Sequence, residues 1–407
     1  MTIQKYVPKK TVITDEKLLM IDSNKVVKEV SMNLINQRSQ TWKSIAMGYI
    51  FLGFNSNVDI ATNKPHLVKA QWGVQQPNGT LLIDTTSQNG FTTTLLNLIN
   101  TNCELGAMIM IGGAGYAWNT AIDTAAKRTS LITAITNFVN TNNLFGVEIN
   151  FEPTFTWAGV TVQDMDNMTL FIDSLCDSIH ALPPHTKSGY SIYKKVSVAI
   201  APIFNHGGTF ASGSNMAQLD DLLRVGMTKT DYIMLMSYDM EFNTGDFSTS
   251  TAPYDEFRQV VSLAYDLIPN SKERLTVGIP SYSHYQTSAG NNFTPINKSS
   301  FTATFSTNLS PKVRNTKMRK TVLTTGAIAN KYFKGGGELQ YSDLTNNYEI
   351  LESDTITLNS KRHIAENIGA KSVAVWSMTG GNPWFSIYSE PKAGEILSNI
   401  ETNINTN

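Results

Sequence analysis

The chain of 407 residues contains only two cysteines, Cys103 and Cys176, so no disulfide framework holds it together. Cys176 falls in the apolar periodicity of a helix and reads as a small core residue. Charge of one sign is also missing. Thirty-two Lys and Arg stand against 33 Asp and Glu, a net charge of −1, which leaves no footprint for nucleic acid or an anionic membrane. No apolar run approaches a membrane span, and the stretch from Met1 to Lys10 lacks the apolar core of a signal peptide. Sec-type export is therefore not expected; synthesis in the cytoplasm, with release by a non-Sec route, by lysis or as part of an assembly, is. The six histidines show no metal-ligand spacing. Neither a phosphate-cradling glycine loop nor a nucleophile elbow is found, so no metal and no cofactor is expected.

What the chain does have is enough apolar material, 41% of its residues, for a large core. Strand-like and helix-like segments alternate from about residue 44 onwards, which argues for an α/β fold with a parallel sheet. Candidate strands are Ile45–Phe51, Val68–Val74, Gly106–Gly113, Val147–Glu152, Val196–Pro202, Tyr232–Tyr238, Leu275–Pro280 and Ser372–Ser377. Between them run apolar stripes of helical period: Leu131, Ile132, Ile135, Phe138 and Val139; then Leu170, Phe171, Leu175, Ile179 and Leu182; then Phe257, Val260, Val261, Ala264 and Leu267. Eight strands with intervening helices predict a closed (β/α)8 TIM barrel, for which this length allows decoration. Residues 1–43 are expected to form an N-terminal extension or arm and residues 44–285 and 346–400 the barrel, while residues 286–345 interrupt the pattern over a stretch too long for an ordinary loop. The arm is the segment through which a larger assembly would form.

The fourth strand carries the most information. In Phe145-Gly-Val-Glu-Ile-Asn-Phe-Glu152, Val147, Ile149 and Phe151 alternate with Glu148, Asn150 and Glu152. In a closed barrel the outer face packs on helices, so the polar face points inward. Side chains there repeat roughly every 6.6 Å. Burying three such groups is unfavourable unless they form a site. Pro153 stops the strand and places Glu152 at its C-terminal end, where barrel enzymes carry their chemistry.

This segment resembles the D-G-x-D-x-D-x-E signature of the family 18 glycoside hydrolases, the chitinases and their relatives. Gly146 and Glu152 match; Phe145, Glu148 and Asn150 replace acidic positions, Phe145 reading as packing. Met236, Tyr238 and Asp239 match the sixth-strand M-x-Y-D motif, and Ser372 to Met378 resembles the final strand with its Trp376. Gly278-Ile-Pro-Ser-Tyr282 is similar to strand seven, although Ser283 and His284 replace the usual Gly-Arg. Ile111-Gly112-Gly113 is similar to the third-strand S-x-G-G, with Met110 for serine and Ala114 for the usual aromatic. The likeness spans roughly residues 44–400, and it implies that residues 286–345 form a small α+β insertion between strand seven and the last helix-strand unit.

The resemblance implies a substrate-assisted reaction on β-1,4-linked N-acetylglucosamine polymers, with chitin or its oligosaccharides as the partner. Glu152 would be the acid, Asn150 would orient the acetamido group and Tyr238 would donate to its carbonyl. Glu148, Met236, Asp239, Tyr282 and Trp376 would line the sugar site, and Tyr116, Trp118 and Trp157 are candidate groove aromatics. An amide at 150 accepts the acetamido N–H but carries no charge for a developing cation. Three readings therefore stand: a chitinase-like glycosidase, a non-catalytic chitin-binding barrel, and a chitinase-like component of a larger assembly.

Overall fold

The computed structural model describes residues 11–14, 17–21, 27–31, 43–50, 56–86, 90–113, 116–151, 161–201, 223–240, 247–287, 294–305, 309–310, 312–321, 323, 326–378, 380–385 and 396. Near the N-terminus, Thr11–Thr14 (β1), Lys17–Ile21 (β2) and Val27–Ser31 (β3) form an antiparallel meander. Seven barrel strands follow: Ile45–Ile50 (β4), Leu67–Gln75 (β5), Gly106–Gly112 (β6), Gly146–Asn150 (β7), Lys195–Ile200 (β8), Tyr232–Leu235 (β9) and Leu275–Pro280 (β10). Then come Ser283–Thr287 (β11), Leu339–Asp343 (β12) and Tyr348–Glu352 (β13), which belong to a separate sheet reaching beyond residues 286–345 at both ends, and Ser372–Trp376 (β14), the eighth barrel strand. Each barrel strand pairs in parallel with the next, β14 pairs with β4 and β4 with β5, which closes the barrel.

The helices outside it include Ser56–Asn63 (α1), Thr93–Asn102 (α2), Ala125–Thr141 (α3), Val162–His180 (α4), Tyr254–Leu267 (α5) and Thr355–Ile368 (α6). The core divides as the period-two pattern requires. Val147 and Ile149 join the apolar layer between strands and helices, whereas Met47, Tyr49, Met108, Met110 and Met234 fill the interior. On α4 the buried face is Met168, Phe171, Ile172, Leu175, Cys176 and Ile179, but Leu170 is 55% exposed. One residue is about 100° of helical turn, which carries Leu170 off the stripe that Phe171 begins. None of the described helices is long and apolar enough to cross a membrane.

Several of the expected strands end early, two of them next to the candidate site. On β7 the ladder stops at Asn150, and the Phe151 amide donates to the Ala199 carbonyl at 3.1 Å. On β9 it stops at Leu235: the amides of Ser237 and Tyr238 each donate two residues back, at 2.8 Å, and Asp239 takes φ = +58°. This coil turns the chain out of the ladder as it leaves the barrel. Gly146 is required where β7 meets β8, because a Cβ there would lie 1.9 Å from the Lys195 carbonyl oxygen.

The insertion carries a five-stranded sheet in which β11, β12 and β13 are central. Charged pairs fasten it to the barrel. Buried Lys361 on α6 donates to Glu338 at 3.2 Å, and Ser250 donates to the same carboxylate at 2.6 Å. Arg314 binds Asp354 through two nitrogens at 2.7 and 3.0 Å, and Asp354 in turn caps α6. At the barrel's start, Ser44 donates to Glu366 at 2.6 Å while Arg362 donates to the Ser44 carbonyl at 2.7 Å.

Candidate active site

The inward side chains lie at successive depths. At the deeper level Glu148 is wholly buried, and its carboxylate accepts from Tyr49 Oη at 2.5 Å, from Ser197 Oγ at 2.7 Å and from Lys69 Nζ. Register explains the meeting. Tyr49 of β4 pairs with Lys69 of β5, and Glu148 of β7 pairs with Ser197 of β8, so two neighbouring strand pairs present polar groups at one height. Lys69 is also fully buried; burial lowers its pKa, and the adjacent Glu148 carboxylate pulls it back up. Phe145 lies buried at the base, its ring edge-on to His185 at 5.7 Å, which is a packing role.

Above Glu148 on the same strand face, Asn150 is 3% exposed. Its Nδ2 reaches only Met110 Sδ, at 3.9 Å, and its Oδ1 has no hydrogen-bond partner among the described residues. A buried carbonyl oxygen without a donor is unfavourable, and its position on the inner face makes it an acceptor for a ligand. Aromatic rings surround this level. Tyr238 and Trp376 lie near-parallel, with centroids 6.3 Å apart and planes 20° apart, and Tyr49 tilts against Trp376 at 5.1 Å. Gly278 leaves room for Tyr238: a Cβ there would stand 2.8 Å from Tyr238 Cε1 and 2.7 Å from the Leu235 carbonyl oxygen. Half-buried Met236 packs on the interior cluster.

At the rim, exposed Asp239 accepts a hydrogen bond from Tyr282 Oη. The Tyr282 ring tilts against His284 at 4.9 Å, and His284 contacts Thr251 Oγ1 at 2.6 Å. Tyr238, Met236 and Trp376 belong to one interior cluster with Met110, which Asn150 reaches through Sδ; Glu148 lies one inward repeat deeper, and Tyr282 pairs with Asp239. Glu152 and Trp157 lie outside the described residues.

Trp118 is not a groove aromatic. It is 3% exposed, and its indole N–H donates to the Asn150 carbonyl at 3.0 Å, which fixes the end of β7 from outside the pocket. Tyr116 is half-buried, and its hydroxyl accepts from Gln71 Nε2 at 3.3 Å. Lys69 and Gln71 escaped the sequence reading, although their signal was the same as in the fourth strand. Along β5, Val68, Ala70 and Trp72 belong to the outer apolar layer, while Lys69 and Gln71 take the alternate positions.

This cluster brings flat apolar rings and one phenol close to one buried amide oxygen.

Comparison with known proteins gives the same direction as the motifs. The profile described as Glycosyl hydrolases family 18 matches residues 37–382. Among solved structures, the spore cortex-lytic enzyme SleL of Bacillus cereus shares 16% identity at a TM-score of 0.59, covering 88% of this chain and 75% of that one. A chitinase of Chromobacterium violaceum shares 13% at 0.58, covering 87% and 98%. A class V chitinase of Nicotiana tobaccum in complex with NAG4 shares 15% at 0.56, also covering 87% and 98%. Identities this low speak to the fold alone. No curated protein matches the chain.

Proposed function

The chain belongs to glycosyl hydrolase family 18, and from that membership we propose that it is a chitinase-like glycosidase acting on β-1,4-linked N-acetylglucosamine chains with retention of configuration. The observation that carries this reading is the unpartnered Oδ1 of Asn150, buried within an aromatic pocket on the inner face of β7. An acetamido N–H supplies the donor it lacks. Tyr238 then donates to the acetamido carbonyl, and Trp376 floors the sugar ring. Of the three solved structures named above, two are chitinases, one of them holding NAG4, which favours the same ligand class.

In this proposal Glu152 protonates the glycosidic oxygen as the C1–O bond breaks. The substrate's own acetamido oxygen closes on C1 to form an oxazolinium. Water then adds to C1 from the opposite side, giving up its proton to Glu152 and restoring the acetamido group. Asn150 holds the N–H without adding charge, so this step proceeds with less electrostatic help than a carboxylate would give. Proton NMR of freshly cleaved chitopentaose tests the proposal. The first product should be the β-anomer, whereas an α-anomer would rule out the acetamido-assisted route.

Asn150 also motivates a second reading, a barrel that binds chitin oligosaccharides without cutting them, and the arm of residues 1–43 motivates a role within an assembly. In the first case chitotriose binds with no product released by either the wild type or Glu152→Gln.

A further inference from the structure

Building on the acetamido-sugar reading, the ion pair beneath the pocket has a consequence for substrate choice. Lys69 reaches from β5 past β6 to Glu148 on β7, and both side chains are fully buried. The ammonium meets three oxygens: the Glu148 carboxylate, Tyr49 Oη at 3.4 Å and Ser197 Oγ at 3.3 Å. Tyr49 and Ser197 donate to that carboxylate in turn, so the four groups are joined in one network. A buried pair of this kind is not in general needed for stability, since apolar replacements of similar volume are often neutral. Its net charge, however, is felt locally, because Asn150 stands one inward repeat above Glu148, roughly 6.6 Å away.

We propose that Lys69 is a specificity-determining residue: by cancelling Glu148 it makes the pocket floor neutral, matched to the neutral amide of Asn150 and to an uncharged N-acetyl group. A free 2-amino sugar, protonated at pH 6, meets no opposing charge from this floor. The floor therefore gives a protonated amine no compensating charge for its desolvation, and Asn150 and the Lys69–Glu148 pair together leave the floor uncharged.

The experiment compares the affinities of chitotriose and of the glucosamine trimer at pH 6, by calorimetry, for wild type, Lys69→Met, Glu148→Gln and the double variant Lys69→Met/Glu148→Gln. These give the floor a formal charge of zero, minus one, plus one and zero. The glucosamine-to-chitotriose affinity ratio should rise about tenfold in Lys69→Met, fall in Glu148→Gln, and return to within about threefold of wild type in the double variant. If the two sugars move together in every variant, Lys69 is only structural and the proposal is overturned. Should Lys69→Met fail to fold, the Glu148→Gln and double variants carry the same comparison. Melting temperatures of the four proteins separate the two ways of failing. A double variant more stable than the sum of its single losses confirms the pair, and simple additivity overturns it whatever sugars bind. Binding of neither trimer by a well-folded wild type overturns the sugar reading and this assignment with it.

Discussion

The indole N–H of Trp118 donates to the main-chain carbonyl of Asn150 at 3.0 Å, so an aromatic outside the barrel sets the height at which the Asn150 amide stands inside it. The same carbonyl accepts the Gly113 amide at 3.1 Å. Trp118→Phe keeps most of the ring and leaves the carbonyl one donor. The expected loss is about 1–2 kcal/mol in urea unfolding, with weaker chitotriose binding, because one hydrogen bond and part of a buried ring are removed.

Replacing Asn150 by Asp places a charge at the position proposed to face the acetamido group. Turnover of a chitotriose glycoside should rise by about tenfold or more, the scale of one electrostatic contribution. Unchanged turnover, already high in the wild type, would mean that the site works through the amide.

Gly278 gives Tyr238 its space. Gly278→Ala places a methyl within 2.8 Å of Tyr238 Cε1 and 2.7 Å of the Leu235 carbonyl, so the ring and the end of β9 must both shift. A destabilisation of about 1–3 kcal/mol by thermal unfolding is expected, together with a loss of sugar affinity. Unchanged binding would show that Tyr238 does not depend on this fit.

Stability should fall in acid through the joint between insertion and barrel. Burial would raise the pKa of Asp354, but the bidentate Arg314 and the cap bonds to Thr357 outweigh it and hold the carboxyl below its ordinary value. A depressed carboxylate stabilises the fold above its unfolded pKa, and that contribution is lost as pH drops through the folded one. Asp354→Asn keeps a capping oxygen without the charge. Its melting temperature should lie below wild type at pH 7, and the gap should close towards pH 3. A gap that persists in acid would assign the difference to geometry.

Much of this architecture was legible in the chain. The eight strands stand out because each is buried on both sides, and β10 occupies the expected Leu275–Pro280. Leu170 was misplaced because an apolar residue next to a stripe looks like part of it in sequence, while one helical step turns it to solvent. Strand six seemed longer because Met236 and Tyr238 continue the alternation, yet backbone bonds two residues back end the ladder at Leu235. At the candidate site, motif order singles out Asn150, Tyr238 and Trp376. It does not reach Lys69: the partner that makes a buried Glu148 tolerable sits 79 residues earlier, and only barrel closure brings the two together.

In the proposed reaction Glu152 is the acid and Asn150 the amide that holds the acetamido group. Fluorophore release from a chitotriose glycoside between pH 4 and 8, by wild type and by Glu152→Gln, tests it most directly. The account predicts turnover in the wild type that vanishes in the variant while chitotriose binding persists. Binding without turnover in both would contradict it and leave a sugar-binding barrel in place of an enzyme.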